Sequence, residues 1–503
     1  MRMEYVLGID VGSSSTKVGL FSLDGAAVAI AGRAHPTHEP RPAYKEQGPE
    51  LWWRAAVSSI RRVTASVRRE RILGIAAAGH ISSLTFVDRS GAPLRPAVGF
   101  QDLRAISEVE EIAGAFSRRE LHRHLGIDLP PGATWPLPRL LWFRKNEPRT
   151  LDNAYRLLQA KDYVNFRLTG ELASDASSNR GIVNLATGRV PRQLFTRLDL
   201  PESIIPPILD AAGIIGRVTE AASRETGLPP GIPVAVGWND LNACVLGSGA
   251  VSQGQAFNIT GTSEHIGAVV ERDHRVPELV CAPFLPGRKL LYGVTSCGGG
   301  SLEWYRQAFR RKFASLFQEA RRAPVGSDGL LFLPYLEGER APIWDPFASG
   351  AFIGIRSGHG EGHFVRAILE GVAFSLRQVL ELVDCRATSG SDPLIVSGGA
   401  ARVVLWNRIK ADVLQRAISL PKCPQTGVLG AAILAAVATR RYSSCDQAAR
   451  AMVRFKGRVE PNPDCAGLYR DSFERYRRLY PALQGWFAGA ANGRSEALHA
   501  HAG

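Results

Sequence analysis

The sequence predicts an α/β protein built from two similar domains. Short apolar runs of strand character alternate with longer amphipathic runs, which is the pattern of α/β architecture. A segment of strand, glycine, two hydroxyl residues and strand around Gly12 is echoed around Gly261, close to half of the chain away. The 503 residues are too many for one hydrophobic core, so two or three domains are expected.

An antiparallel strand meander is predicted at the start of the chain. Three apolar runs, Tyr5 to Ile9, Lys17 to Phe21 and Ala26 to Ala31, are separated by turns that contain glycine. The segment LWWRAAVSSIRRVTASVRR then predicts a helix, and ILGIAAAG predicts a buried strand. Further on, the apolar spacing from Val365 to Val383 predicts an amphipathic helix.

The second half closes on a strand, a glycine turn and a helix, in LIVSGGAARVVLWNRIKADVLQ. A glycine turn at a helix N-terminus lets backbone N–H groups meet an anion, so Gly398 and Gly399 are candidates for such contacts. We expect one domain at residues 1–246 and another at 247–485. The small and polar residues 486–503 are expected to form a flexible tail.

Composition narrows the class of function. The chain has 61 basic and 47 acidic residues, a net charge of +14, which suits an anionic ligand. The basic residues are scattered, which favours a solvated surface and no nucleic-acid partner. The longest apolar helical stretch, Gly427 to Ala438, is too short to span a membrane, and no signal peptide is visible. Seven cysteines without a CxxC pair favour a reducing cytoplasm and argue against zinc.

Seven segments occur in the order typical of one enzyme family. They are GIDVGSSSTK, GFQDLRA, TWPLPRLLWFRKNEP, AKDYVNFRLTGELASDAS, GWNDLNACVLGSG with GTS, GERAPIWDP with GAFIGIRSGHGEGHFVRAILE, and GVLGAAILAA. Together they resemble the FGGY carbohydrate kinases from roughly Tyr5 to Phe455. The resemblance implies two RNase H-like domains of the actin, Hsp70 and sugar kinase ATPase fold around a central cleft. It also implies ATP and Mg²⁺ as cofactors and a small sugar or polyol as substrate, and it leaves a homodimer open.

Phosphoryl transfer to a sugar hydroxyl needs a base near that hydroxyl and a metal on the phosphates. Asp240, in GWND, matches the family's catalytic Asp, and the resemblance implies that it is the general base. Its position before the helical run LNACVLG also fits a helix N-cap. The resemblance implies that Asp10, at a strand end, binds Mg²⁺ through water, although a carboxylate there could instead cap a turn.

Three glycine-containing turns are candidates for nucleotide binding. Hydroxyls, backbone amides and an amine suit phosphate oxygens in the first turn, although serines also occur in ordinary turns. Its residues are Gly12, Ser13, Ser14, Ser15 and Lys17. The resemblance implies that a second turn faces the β- and γ-phosphates of ATP and that a third binds adenosine. These residues are Gly261, Thr262 and Ser263, then Gly398, Gly399 and Ala400. Gly299, within a Gly-Gly-Gly run, fits a nucleotide wall or a flexible connection equally.

Substrate contacts are implied on the N-terminal side. The candidates are His80, Ser82, Ser83, Asp102, Arg104, Trp135, Asn239 and Asp240. His80 fits a hydroxyl contact or a satisfied core histidine equally. Asp102 and Arg104 contact substrate or pair with each other, and Trp135 offers an aromatic face to a sugar. Asp175 fits a loop near the substrate or an Asx-turn.

The chain departs from the family pattern at several positions. Ala400 replaces a third glycine and Val403 a polar residue, and Leu241 stands where many members carry Asn or Gln that binds substrate. Glu264 and His265 follow the second turn, where small residues are common. Glycerol, xylulose and gluconate are therefore not distinguished. A catalytically weak relative that senses sugar or nucleotide is the alternative to an active kinase, and an actin- or chaperone-like ATPase is disfavoured.

Overall fold

A computed structural model describes residues 3–128, 132–387 and 393–500, with side chains described as far as residue 489. These residues form two compact units. The first unit runs to Val251 and includes Ala282–Pro286 and Gln425–Arg454. The second holds Ser252–Cys281, Gly287–Pro424 and the chain from Phe455 onward. The segment Gln425–Arg454, placed by the sequence in the C-terminal domain, therefore packs within the first unit.

The strands, in chain order, are Tyr5–Val11 (β1), Ser15–Ser22 (β2), Ala27–Ala34 (β3), Glu46–Gln47 (β4), Ile72–Gly79 (β5), Thr85–Val87 (β6), Ala97–Val98 (β7), Arg156–Leu158 (β8), Ile214–Arg217 (β9), Pro233–Asn239 (β10), Ala256–Thr260 (β11), Glu264–Val270 (β12), Val280–Pro283 (β13), Lys289–Thr295 (β14), Leu331–Leu333 (β15), Ala351–Ile353 (β16), Leu394–Gly398 (β17), Ile418–Pro421 (β18) and Phe455–Val459 (β19).

The helices are Pro49–Val63 (α1), Ile106–Ala115 (α2), Arg118–Leu125 (α3), Pro136–Asn146 (α4), Pro148–Asn153 (α5), Ala160–Thr169 (α6), Arg192–Arg197 (α7), Glu220–Thr226 (α8), Asp240–Ser248 (α9), Gly299–Ala308 (α10), Phe313–Arg322 (α11), Glu361–Ala387 (α12), Val404–Leu414 (α13), Thr426–Ala438 (α14), Cys445–Met452 (α15), Ala466–Tyr476 (α16) and Leu479–Ala500 (α17).

The first unit is organised by a six-stranded sheet in the order β3-β2-β1-β5-β10-β9. Strands β1, β2 and β3 pair antiparallel, which confirms the predicted meander. Strands β1, β5 and β10 are parallel, with Asp10 opposite Ala78 and Asn239 opposite Gly79. Because the carboxyl ends of parallel strands meet at one edge, residues that follow β1, β5 and β10 converge there.

Helix α14 is apolar on all sides, and this composition allows it to be buried among the other elements of the first unit. It packs closely against β1 and α9, and glycine makes both approaches possible. A Cβ at Gly8 would lie 2.0 Å from the Val428 carbonyl oxygen, and one at Gly430 would lie 1.9 Å from that of Ala243. This packing brings the N-terminus of α14 to the carboxyl edge of the sheet.

The second unit repeats the beginning of the first. Its seven-stranded sheet has the order β13-β14-β12-β11-β17-β18-β19. Strands β11 and β12 form an antiparallel pair joined by the turn at Gly261, and β17 lies parallel to β11. The same relation holds for β2, β1 and β5, so the predicted echo is confirmed at the level of topology. The amphipathic helix is also confirmed, as α12, whose buried face includes Val365, Ile368 and Val372.

The segment expected to be a flexible tail begins within helix α17. Helix α17 continues to Ala500, and Phe487 is 2% exposed in the core of the second unit. Residues 501–503 lie outside the described residues.

Candidate functional site

Two carboxylates meet at the carboxyl edge of the first sheet. Asp10 lies in β1, and Asp240 follows β10 as the first residue of α9. Burial and the Asp10 charge raise the pKa of Asp240 to about 6. Burial also raises the pKa of Asp10, while Lys17, opposite it in β2, lowers it. Neighbouring carboxylates disfavour double ionisation, so this edge favours a proton or a cation.

The N-cap of α9 is Asn239 and not Asp240. The Asn239 Oδ1 accepts the Asn242 N–H at 2.8 Å, and its Nδ2 donates to the Ser177 hydroxyl at 2.8 Å. Among the residues that the structure describes, the carboxylate of Asp240 accepts the N–H of the adjacent Leu241, at 2.8 Å, and no other hydrogen bond from another residue. The capping alternative for Asp240 is therefore wrong. The same bonds engage both polar ends of Asn239, which therefore orients the start of α9; its contact with substrate stays a prediction.

The residues present fit a Mg²⁺ ion held largely by water. A Cβ at Gly427 would lie 2.8 Å from the Asp10 Oδ2, so the carboxylate sits against the first turn of α14. Within residues 3–128, 132–387 and 393–500, no group of three His, Cys, Asp or Glu side chains is arranged to hold a metal. Mg²⁺ needs no such cage, because one or two carboxylates, waters and substrate phosphates suffice.

The first glycine turn has exposed serines at its tip, and hydrogen bonds from neighbouring segments fix its backbone. Ser13 and Ser14 are exposed at its tip, and a backbone hydrogen bond of 3.0 Å closes it. The Ser13 carbonyl accepts the Gln47 amide at 2.6 Å, and the Ser14 carbonyl accepts the His35 N–H at 3.1 Å. The carbonyls of Ser13 and Ser14 are thus occupied by hydrogen bonds, while the two serines stay exposed. Exposed hydroxyls without free carbonyls beside them suit an anion. Gln47 and His35 were missed because nothing in the sequence links them to a turn so far away.

The second glycine turn is pinned to the start of α10. The N–H groups of Gly298 and Gly300 donate to the Thr262 carbonyl at 2.7 and 3.0 Å, and Gly299 N–H donates to Gly261 at 2.9 Å. A Cβ at Gly299 would lie 2.8 Å from the Gly261 oxygen. These bonds hold the glycine run against the turn, which argues against a flexible connection, and its role as a nucleotide wall stays a prediction.

The third glycine turn is hydrogen-bonded to Thr260 at the end of β11. The N–H of Gly399 donates to the Thr260 carbonyl at 3.1 Å, and those of Ala400 and Ala401 donate to the Thr260 hydroxyl at 3.0 and 3.2 Å. A 3₁₀ turn at Ala400–Arg402 also separates the glycines from α13. The expectation that this turn offers backbone N–H groups to an anion is therefore wrong. The turn instead has an open surface at Gly399, because a Cβ added there would meet no atom within 4 Å.

His80 is a neutral imidazole with one ring nitrogen available. It follows β5, with Nδ1 2.6 Å from the Ser83 hydroxyl, and its ring packs edge-on against Trp52. Nε2 is buried and has no hydrogen-bond partner in the described part of the chain. Burial and the nearby His35 lower its pKa to about 3. Ser82, two residues after His80, has a φ of +63°, a conformation that is rare outside glycine and concentrated at functional sites.

Asp102 and Arg104 pair with each other. Both side chains are fully buried, with Arg104 Nη2 2.8 Å from Asp102 Oδ2 and 2.7 Å from Glu46 Oε1. The guanidinium also lies over the Tyr44 ring, 4.1 Å from its centre. Of the two alternatives, the pairing of these residues is therefore present, within a buried cluster, and their contact with substrate stays a prediction. Trp135, the N-cap of α4, remains half-buried and offers part of its ring.

Asp175 belongs to a buried ion cluster that the sequence did not indicate. Its Oδ1 lies 3.0 Å from the Lys161 Nζ, which also binds Asp162 at 2.6 Å. Its Oδ2 accepts the N–H of Ser178, three residues further on, at 3.1 Å, a local bond that is one residue longer than the Asx-turn the sequence suggested. The Ser177 hydroxyl donates to Asp175 and accepts the amide N–H of Asn239. The ion cluster is thereby connected to the residue that caps α9.

Comparison with known proteins matches both halves of the chain to one family. The N-terminal and C-terminal domains of the FGGY family of carbohydrate kinases match residues 5–247 and 256–439. A xylulose kinase of Staphylococcus xylosus is 28% identical over 95% of this chain and all of its own length. A gluconokinase of Bacillus subtilis is 27% identical over 97% of this chain and 98% of its own. The crystal structure of a ligand-bound xylulose kinase from Lactobacillus acidophilus superposes with a TM-score of 0.88, at 26% identity, over 97% of this chain and 99% of that one.

These matches confirm the predicted two-domain α/β fold of the sugar kinases. The helices of the described residues include none with the length and apolar character needed to cross a membrane.

Proposed function

The chain belongs to the FGGY family of carbohydrate kinases, and we propose that it transfers a phosphoryl group from ATP to a hydroxyl of a small sugar or polyol with Asp240 as the general base. It is a phosphotransferase with a carbohydrate acceptor, as its relatives are named. The observation that supports Asp240 most is its place: a carboxylate at the carboxyl edge of the sheet, freed from capping by Asn239.

Asp240 is suited to accept the proton of the acceptor hydroxyl. A base works best when its pKa lies near the working pH, and burial with the Asp10 charge raises the pKa of Asp240 to about 6. At neutral pH the carboxylate is ionised yet more basic than an ordinary aspartate. It takes the proton as the oxygen forms its bond to phosphorus, and the ADP leaving group carries away the charge of the broken bond.

We place the nucleotide on the glycine turns and the metal at Asp10. Bound Mg²⁺ would neutralise phosphate charge, and Asp10 would hold it through water. Within the first unit, the turn at Gly12 exposes Ser13 and Ser14, and Lys17 lies opposite Asp10. Within the second unit, we assign phosphate contacts to the turn at Gly261, and the open surface at Gly399 suits the flat face of an adenosine. The role of Ala400 is then packing, because its N–H is already bonded to Thr260.

We assign the acceptor contacts first to His80 and Trp135. His80 offers a neutral ring nitrogen that binds a hydroxyl without adding charge, and Trp135 offers an aromatic face. Ser83 bonds this imidazole through its hydroxyl, and Ser82 precedes it in the same loop. Leu241, 7% exposed beside Asp240, makes no hydrogen bond with its side chain, which favours an acceptor with a hydrogen or carbon at that place.

Replacement of Asp240 tests the proposal. Asp240→Asn should lower kcat by about 10²- to 10⁴-fold while the fold and MgATP binding stay intact. Asp88→Asn, a change of the same chemistry in an exposed turn, is the matched control and should leave kcat unchanged. A variant at Asp240 that keeps most of the parent's turnover would remove this residue from the role of base.

A further inference from the structure

A buried ion pair lies directly beneath the second glycine turn. Glu264 follows the turn as the first residue of β12, and Lys410 lies in α13. Their charged atoms, Glu264 Oε2 and Lys410 Nζ, are 2.6 Å apart, and the two side chains are at most 1% exposed. Asn258 joins them, donating to Glu264 Oε2 at 2.9 Å and accepting from Lys410 at 3.0 Å.

The sheet geometry explains why Glu264 points inward. Side chains alternate along a strand, so Glu264 shares its face with Ile266 and Ala268, which belong to the apolar core of the second unit. The one charged residue on this face thus lies at the end next to the turn. Burial alone lowers the pKa of Lys410, and the Glu264 charge counters that effect.

The carboxylate is in contact with the segment that holds the turn. A Cβ at Gly298 would lie 2.3 Å from the Glu264 Cγ and 3.1 Å from its Oε1. Gly298 itself donates to the turn, through the Thr262 carbonyl at 2.7 Å. The second oxygen, Oε1, is buried and has no hydrogen-bond partner within the described residues. A negative charge therefore sits one residue layer beneath the surface assigned to phosphates.

We propose that Lys410 is a positioning residue that neutralises the Glu264 carboxylate beneath the second phosphate turn, so that this turn accepts the phosphates of a nucleotide. The inference rests on the proposed function, which assigns nucleotide phosphates to this turn. A buried ion pair is commonly no more stabilising than an apolar pair of the same size. Without Lys410, the carboxylate would repel an incoming anion across a low-dielectric interior.

Two single substitutions separate this electrostatic role from simple packing. Lys410→Met and Glu264→Gln each break the same ion pair with little change of shape. A packing role predicts weaker nucleotide binding in both. The electrostatic role predicts that Lys410→Met weakens MgADP binding by about tenfold or more, whereas Glu264→Gln binds MgADP at least as tightly as the parent. The double variant should return to within about threefold of the parent.

Titration calorimetry of the full chain with MgADP measures these affinities, and thermal melting reports folding. The KM for the sugar acceptor should stay unchanged in all three variants, which a general loosening of the protein would not allow. Equal weakening by both single substitutions, or unchanged binding by a folded Lys410→Met, would overturn the inference. Should Lys410→Met not fold, weaker binding by Glu264→Gln or by the double variant would overturn it instead.

The same titration separates this inference from the proposed function. A parent chain that binds MgADP but phosphorylates no acceptor would count against the role of Asp240 and leave the test of Lys410 in place. A parent chain that binds no MgADP would overturn both the assignment of phosphates to this turn and the role of Lys410.

Discussion

At Asp240, the environment sets the pH dependence of the reaction. Burial and the Asp10 charge raise the pKa of this carboxyl to about 6. A base acts in its deprotonated form, so kcat/KM should rise with pH up to about 6 and level off above it. Below that value kcat/KM should fall by about tenfold per pH unit. A pH profile of kcat/KM with subsaturating sugar measures this. A rate that stays level from about pH 5 to pH 8 would contradict Asp240 as the base.

Leu241 tests how the residue after the base selects the acceptor. Its side chain is 7% exposed and offers no hydrogen bond, whereas an amide there could bind a hydroxyl. Leu241→Asn should therefore change the ratio of kcat/KM between acceptors that differ at one hydroxyl. Leu241→Ala is the control, because it loses the same packing without adding an amide. Equal acceptor profiles for the two variants would show that position 241 does not contact the substrate.

Among the elements, the third glycine turn is a place where one substitution should change nucleotide binding without lowering stability. Gly399 has φ −63° and ψ −50°, which alanine adopts freely, and an added Cβ would meet no protein atom within 4 Å. Gly399→Ala should therefore leave the melting temperature unchanged or raise it. If adenosine packs on this surface, as proposed, the KM for MgATP should rise by about tenfold. An unchanged KM would place the adenosine elsewhere.

Helix α14 depends on glycine for its contact with α9. A Cβ at Gly430 would lie 1.9 Å from the Ala243 carbonyl oxygen, an atom of the backbone that cannot rotate away. Gly430→Ala should lower the free energy of unfolding by about 1–3 kcal/mol or more. Gly467→Ala, in α16 where a Cβ meets nothing within 4 Å, is the control and should not destabilise. Equal stability of the two variants in urea unfolding would contradict this packing.

Local patterns predicted the elements well and their side-chain roles less well. The meander, the buried strand at Ile72–Gly79 and α12 follow from periodicity, which is local. The cap of α9 did not follow from the sequence, because Asn239 and Asp240 are both good capping residues and only the backbone geometry shows which one caps the helix. Likewise the apolar run of α14 indicates burial on all sides, but not that it packs in the first unit.

For the whole molecule, the similarity of the two halves could be predicted from the sequence, because it is a repeat of short motifs. The turns at Gly12 and Gly261 each join an antiparallel pair whose first strand has a parallel neighbour. Contacts between distant residues were not readable. Glu264 is unusual in the sequence, but its partner Lys410 is 146 residues away and carries no local signal.

ADP release across a panel of ketoses, aldoses, polyols and sugar acids tests whether this chain is an active kinase. One acceptor class, with MgATP, should give ADP release well above the rate without acceptor, and Asp240→Asn should abolish it. Binding of MgATP without acceptor-dependent ADP release across the panel, under conditions where a related xylulose kinase is active, would contradict it.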